Sequence, residues 1–128
     1  MNKVYILFIG LILLMACDDK EKRARALKDL DDTQQRLLEV RDEIHRLEQS
    51  LTNHIAELEV AKDDFNQVKQ FQFLRSETQR EQQIRKATTY ILNIEKKIDA
   101  IKNNITYYQD SVYRTETKIE KLKEYLKN

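Results

Sequence analysis

The chain contains no proline, no tryptophan, one glycine and one cysteine. Each scarcity closes off a class of protein. Without proline, nothing in 128 residues forbids a helix from continuing. The single glycine, Gly10, leaves no material for a glycine-rich phosphate loop or a G-x-S-x-G nucleophile elbow. A lone cysteine, Cys17, cannot close an internal disulfide. Charge of one sign is also lacking. There are 23 Lys and Arg against 22 Asp and Glu, a net of +1, so no bulk attraction to nucleic acid is expected.

What remains is charge and regularly placed apolar residues. Charged residues make up 35% of the chain and are interleaved with Leu, Ile and Val. Disordered chains are also charged, but they lack periodic apolar seats. With few helix breakers, this composition is that of long helices or coiled coil.

The one long apolar run is at the start. Met1-Asn2-Lys3 is followed by Val4 to Leu14, about 11 residues without a charge. A helix needs roughly 20 apolar residues to cross a bilayer, so this run is too short to span. A basic start, a short apolar core and a small residue, Ala16, fit a cleavable secretion signal instead. The next residue is Cys17, and Asp18 and Asp19 follow it directly.

Leu14-Met15-Ala16-Cys17 resembles the lipobox of bacterial lipoproteins, with Met15 at the position where that pattern is most tolerant. The resemblance implies a signal peptide over residues 1–16, recognised through Leu14 and Ala16, and covalent lipid on Cys17. Two or more acyl chains, at about 0.8 kcal/mol per buried CH₂, hold a protein to a bilayer where one does not. It also places the protein in the bacterial cell envelope. Residues 17–23 then form an acylated cysteine and an acidic tether. Asp18 and Asp19 are candidate sorting residues: the resemblance supports inner-membrane retention in one group of bacteria and surface display in another.

Beyond residue 23 the apolar seats repeat every seven residues. One set, the a seats, is Leu30, Leu37, Ile44, Leu51, Leu58 and Phe65. The d seats, three residues later, are Thr33, Val40, Leu47, His54, Ala61 and Val68. In the second half the a seats are Ile84, Ile91, Ile98, Ile105, Val112, Ile119 and Leu126, and the d seats are Ala87, Ile94, Ile101, Tyr108, Thr115 and Leu122. Phe65 and Ile84 are both a seats, yet the interval between them is not a whole number of heptads. Neither a stutter nor a stammer accounts for the shift, so the seam breaks between Val68 and Ile84. Ser76 with Gln79, and Thr78 with Glu81, each have the spacing of a helix-starting capping box.

The predicted fold is all-α: a long antiparallel two-helix coiled-coil hairpin, with helix 1 over residues 24–72, a turn over 73–78 and helix 2 over 79–127. Folded back, Phe65 faces Ala87, Ala61 faces Ile91, Leu58 faces Ile94 and Leu30 faces Leu122. The alternative is a broken rod assembled as a parallel oligomer, which the isoleucines at both a and d in the second half would favour. Net charge leans toward the hairpin. Asp18 to Arg75 holds 14 acidic and 11 basic residues, whereas Ser76 to Asn128 holds 8 and 11. Opposite halves attract, though each exposed pair is worth only ~0.2–1 kcal/mol.

No catalytic residues are expected. Carboxylate pairs such as Asp63-Asp64 would face water, with no concavity to shift their proton affinity. His45 and His54 lie nine residues apart, on opposite faces of a helix, so no metal site is expected. No cofactor is expected beyond the lipid on Cys17, and no small-molecule substrate or nucleic acid. The expected partners are a lipid bilayer and either another protein or a second copy. Candidate contact residues are those the seam does not need: Phe71, Phe73 and Leu74 near the turn, and Tyr107 and Tyr113 on the outside of helix 2. The function expected is a structural or protein-interaction module of the envelope. Alternatives are a surface adhesin, a phage- or plasmid-related envelope lipoprotein of the kind seen in spanins, or a ligand-binding helical bundle.

Overall fold

The computed structural model describes the backbone of residues 2–71, 73 and 75–128, and side chains from Ala16 onward. Two helices account for almost all of it: α1, Asn2–Gln70, and α2, Glu77–Lys127. They are antiparallel and packed on each other, the hairpin predicted from the heptads. No strand occurs among the described residues. The parallel rod is not formed, because the chain turns back within six residues.

Every a and d seat from Leu30 to Leu126 is buried or half-buried, and most of the remaining positions are exposed. A heptad seam between two helices requires this, since each seat enters a hole on the facing helix. The chain divides into two compact units, each holding a piece of both helices: Arg41–Asp110, and Met1–Val40 with Ser111–Asn128.

In the unit Arg41–Asp110 the core is aliphatic. Ala61, Ile94 and Ile98 are buried together, and Leu51, Leu58 and Ile91 pack against them. Ile94 is only 1% exposed. Burying a side chain of that size contributes roughly 1.5–3 kcal/mol. Small Ala61 opposite large isoleucines lets the helices approach without leaving a void. Two polar contacts flank this core. Lys62 pairs with Glu95 at 3.2 Å, and the Tyr90 hydroxyl donates to Glu57 Oε1 at 2.6 Å. Lys62 and Glu95 are both e positions; Glu57 and Tyr90 are both g positions. In antiparallel helices with a facing d, e meets e and g meets g, whereas parallel helices would bring g to e. The flanks therefore report the register in which Ala61 faces Ile91.

In the unit Met1–Val40 with Ser111–Asn128 the fully buried residues, among those described, are Thr33 and Ile119, with Leu30, Leu37, Val112 and Leu122 half-buried. Polar contacts also cross between the helices here. Lys118 Nζ lies 2.7 Å from Asp29 Oδ1, again g to g. Arg23 donates to the carbonyl of Leu126 at 2.5 Å. That carbonyl is one of the last in α2, where no intrahelical partner exists and a cation is favoured.

Polar residues seated in the seam satisfy themselves locally. The Thr33 hydroxyl donates to the Asp29 carbonyl, and Thr115 donates to the Ser111 carbonyl at 2.7 Å. His54 Nδ1 lies 2.7 Å from the Ser50 carbonyl; a carbonyl only accepts, so Nδ1 carries the proton. Reaching back four residues is the ordinary recourse of a short polar side chain inside a helix. His54 therefore meets its polar need within α1, and register is specified by the apolar seats and the flanking pairs.

Candidate functional site

Three regions hold the residues that the sequence singled out: the start of the chain, the turn, and the outer face of α2.

Cys17 is exposed, with a free thiol. Leu14 is within α1, but its side chain lies outside the described residues; Ala16 is exposed. The helix does not pause at the cysteine. It runs from Asn2 through Gln70, so residues 17–23, expected as a tether, are helical in this structure. Their side chains explain why. Asp18 pairs with Lys22 at 2.7 Å, and Glu21 pairs with Arg25, both at i,i+4 with the acid first, the favourable orientation. The Asp18 carboxylate holds the Lys22 ammonium above its ordinary proton affinity, through a hydrogen bond and charge. Asp19 is exposed and lines an open groove of ≈ 370 Å³ with Lys20, Arg23, Tyr125 and Asn128. Among the described residues, no helix is long and apolar enough to cross a membrane, and no cluster of side chains is arranged to hold a metal.

The turn is built without glycine. No described residue, Phe71, Phe73, Arg75 and Ser76 included, has positive φ. α1 ends with Phe71 N–H bonded to the Gln67 carbonyl at 3.2 Å, and Lys69 Nζ sits 4.5 Å from the centre of the Phe65 ring. α2 then starts with a reciprocal capping box. The Gln79 N–H donates to Ser76 Oγ at 3.4 Å, and the Ser76 N–H donates to Gln79 Oε1 at 3.3 Å. Two of the orphan donors of the first turn are thereby satisfied. Of the two boxes that the spacing allows, Ser76 with Gln79 forms. The helices stop and start two residues earlier than the predicted bounds, at Gln70 and Glu77. The six-residue connection between them contains no glycine.

Phe71 is 59% exposed and Phe73 is 74% exposed. Neither is consumed in closing the turn. Leu74 lies outside the described residues. On α2, Tyr107 and Tyr113 are 65% and 72% exposed. The Tyr107 ring meets Tyr108, a d seat, edge-on at 5.5 Å between centres. That contact steadies Tyr107 without covering its outer face.

The heptad reading passed over further exposed apolar residues: Leu27, Leu38, Ile55, Val60 and Leu92. They fall outside a and d, so a seven-residue template treats them as noise. A second spacing was available. Leu27 and Leu38, and likewise Val60 and Phe71, are eleven residues apart, close to three helical turns. Leu27 and Leu38 therefore lie on one side of α1.

No protein-family model, no curated protein and no solved structure matches this chain.

Proposed function

We propose that the protein is a lipid-anchored component of a bacterial envelope whose coiled-coil body serves as a structural or protein-interaction module. The observation that carries this reading is the position of Cys17. It is an exposed thiol at the border between an apolar run and a charged helix, preceded by Leu14-Met15-Ala16. Lipid on that sulfur fastens the helical body to a membrane surface. The body presents open grooves with charged walls, such as one of ≈ 490 Å³ beside Glu120, Lys123, Glu124 and Lys127. Contact with another protein or a second copy then falls to exposed apolar residues, with Tyr107 and Tyr113 as the leading residues on α2. Tyrosine offers a large contact area at small conformational cost.

The decisive experiment is metabolic labelling with radioactive palmitate. The wild-type chain is expected to take up label and to shorten by its first 16 residues; Cys17→Ser is expected to do neither. Label retained by Cys17→Ser would falsify acylation at this residue. Protease treatment of intact cells then tells surface display from a periplasmic location, and Asp18→Asn with Asp19→Asn is expected to change that distribution if these residues sort the protein.

A further inference from the structure

The turn carries two features that the hairpin does not use. Phe71 and Phe73 point large apolar surface at water within three residues of each other. Immediately after them, an open groove of ≈ 330 Å³ is lined by Arg75, Gln79, Gln82, Gln83 and Lys86. The groove has two cations, three amides and no acid. Between Lys69 and Arg80 the charged residues are Lys69, Arg75, Arg80 and the single acid Glu77.

We infer that this turn is a docking element for an anionic bilayer surface, with Phe71 and Phe73 entering the boundary between headgroups and acyl chains and the Arg75–Lys86 groove facing lipid phosphate. The order of chemistry along the chain is that of an interfacial anchor: aromatic side chains where the medium is apolar, cations and amide donors where phosphate sits. Phosphate accepts hydrogen bonds from guanidinium and ammonium groups and from amide N–H, which are the donors that line the groove. Two phenylalanines and a few cations make a weak and reversible contact by themselves, comparable to a single acyl chain. Such a contact is useful as a second attachment in a protein already held at a membrane. It also stands independently of acylation at Cys17, because no residue is shared.

The absence of tryptophan makes the test clean. Phe73→Trp in the full chain introduces the only indole, at an exposed position. The chain is reconstituted into vesicles that carry brominated acyl chains, with either zwitterionic lipid alone or a third of phosphatidylglycerol. With phosphatidylglycerol, indole emission is expected to move to shorter wavelength and be quenched by bromine. Arg75→Glu and Lys86→Glu are each expected to lower the docking equilibrium about fivefold or more. Adding Cys17→Ser is expected to leave the quenching in place, which separates this proposal from the anchoring one. Emission that stays water-like in every vesicle overturns the proposal. So does a blue-shifted indole in the Cys17→Ser chain in plain buffer, free of lipid and detergent, which would mean that a second copy covers the turn. Equal quenching in zwitterionic vesicles overturns the role of the groove, as does a shift reproduced by inorganic phosphate alone.

Discussion

The two units use the same seam differently. Arg41–Asp110 is held by stacked aliphatic side chains, with Ile94 shielded almost completely by Ala61, Leu58 and their neighbours. Among the described residues, Met1–Val40 with Ser111–Asn128 fully buries a threonine and one isoleucine, its other apolar seats are half-buried, and an ion pair and an arginine on a terminal carbonyl also cross between the helices. The lesson is that seat and occupant are separate variables. Heptad position sets which residues face inward; the size and polarity of the occupant set how much that burial contributes. A Thr or His at d costs little when its hydrogen bond is made inside its own helix, but it contributes much less than Ile.

The sharpest way to break this contrast is to remove the aliphatic seat. Ile94→Ala is expected to destabilise Arg41–Asp110 by ~2–5 kcal/mol, from lost transfer energy and the cavity left behind. Ile119→Ala is expected to fall at the lower end of that range, since Ile119 is more exposed than Ile94, at 6% against 1%. Urea unfolding with residue-resolved amide exchange measures both; a larger loss at Ile119 would reverse the ranking. Ser76→Ala comes next. It removes one half of the capping box and is expected to cost about 1 kcal/mol. Amide protection should drop over the first turn of α2 and remain unchanged at Ile119.

The smallest effects separate the g-to-g contacts of the two units by pH. The ammonium of Lys118 lowers the proton affinity of the Asp29 carboxyl, so this contact stabilises the folded chain above the ordinary carboxylate range and is lost as pH falls through the lowered value. Tyr90 behaves oppositely. Its hydroxyl donates to Glu57, which raises its proton affinity, so its contribution is present below the ordinary tyrosine value and lost as pH rises through the raised one. Acid is thus expected to loosen Asp29–Lys118 and alkali Tyr90–Glu57. Side-chain NMR titration with Lys118→Met and Tyr90→Phe as references checks this; an Asp29 titration unaffected by Lys118→Met would remove the pair as its cause.

Much of the fold was legible because a coiled coil writes its contacts into a single period. The a and d seats, the antiparallel pairing, the register through Ala61 and Ile91, and the capping box at Ser76 all follow from spacing and side-chain type. Helix ends were less legible. A turn without glycine or proline leaves no residue-level mark of where α1 stops, and Gln70 and Gln72 are the same residue type. The course of residues 17–23 was also hidden. Acidic and basic residues one turn apart serve equally as a solvated tether and as i,i+4 pairs that continue a helix. The exposure of Phe71 and Phe73 was the least legible feature, because an aromatic beside a turn reads identically whether it closes the turn or faces outward. Leu27, Leu38 and Val60 were missed for a different reason: a template tuned to seven residues is blind to eleven.

The cap at Ser76 has one more consequence. The cap begins α2 on its own hydrogen bonds, and no described residue of the turn has positive φ. Two chains that traded their α2 helices would fill the same seats with the same side chains. What favours the solitary hairpin is the nearness of its own α2, a high effective concentration that no partner at ordinary dilution matches, together with a start signal at Ser76 and Gln79 that begins α2 as a separate helix. The choice between a self-contained molecule and an interlocked pair therefore rests on dilution, and crowding many copies onto one surface narrows it.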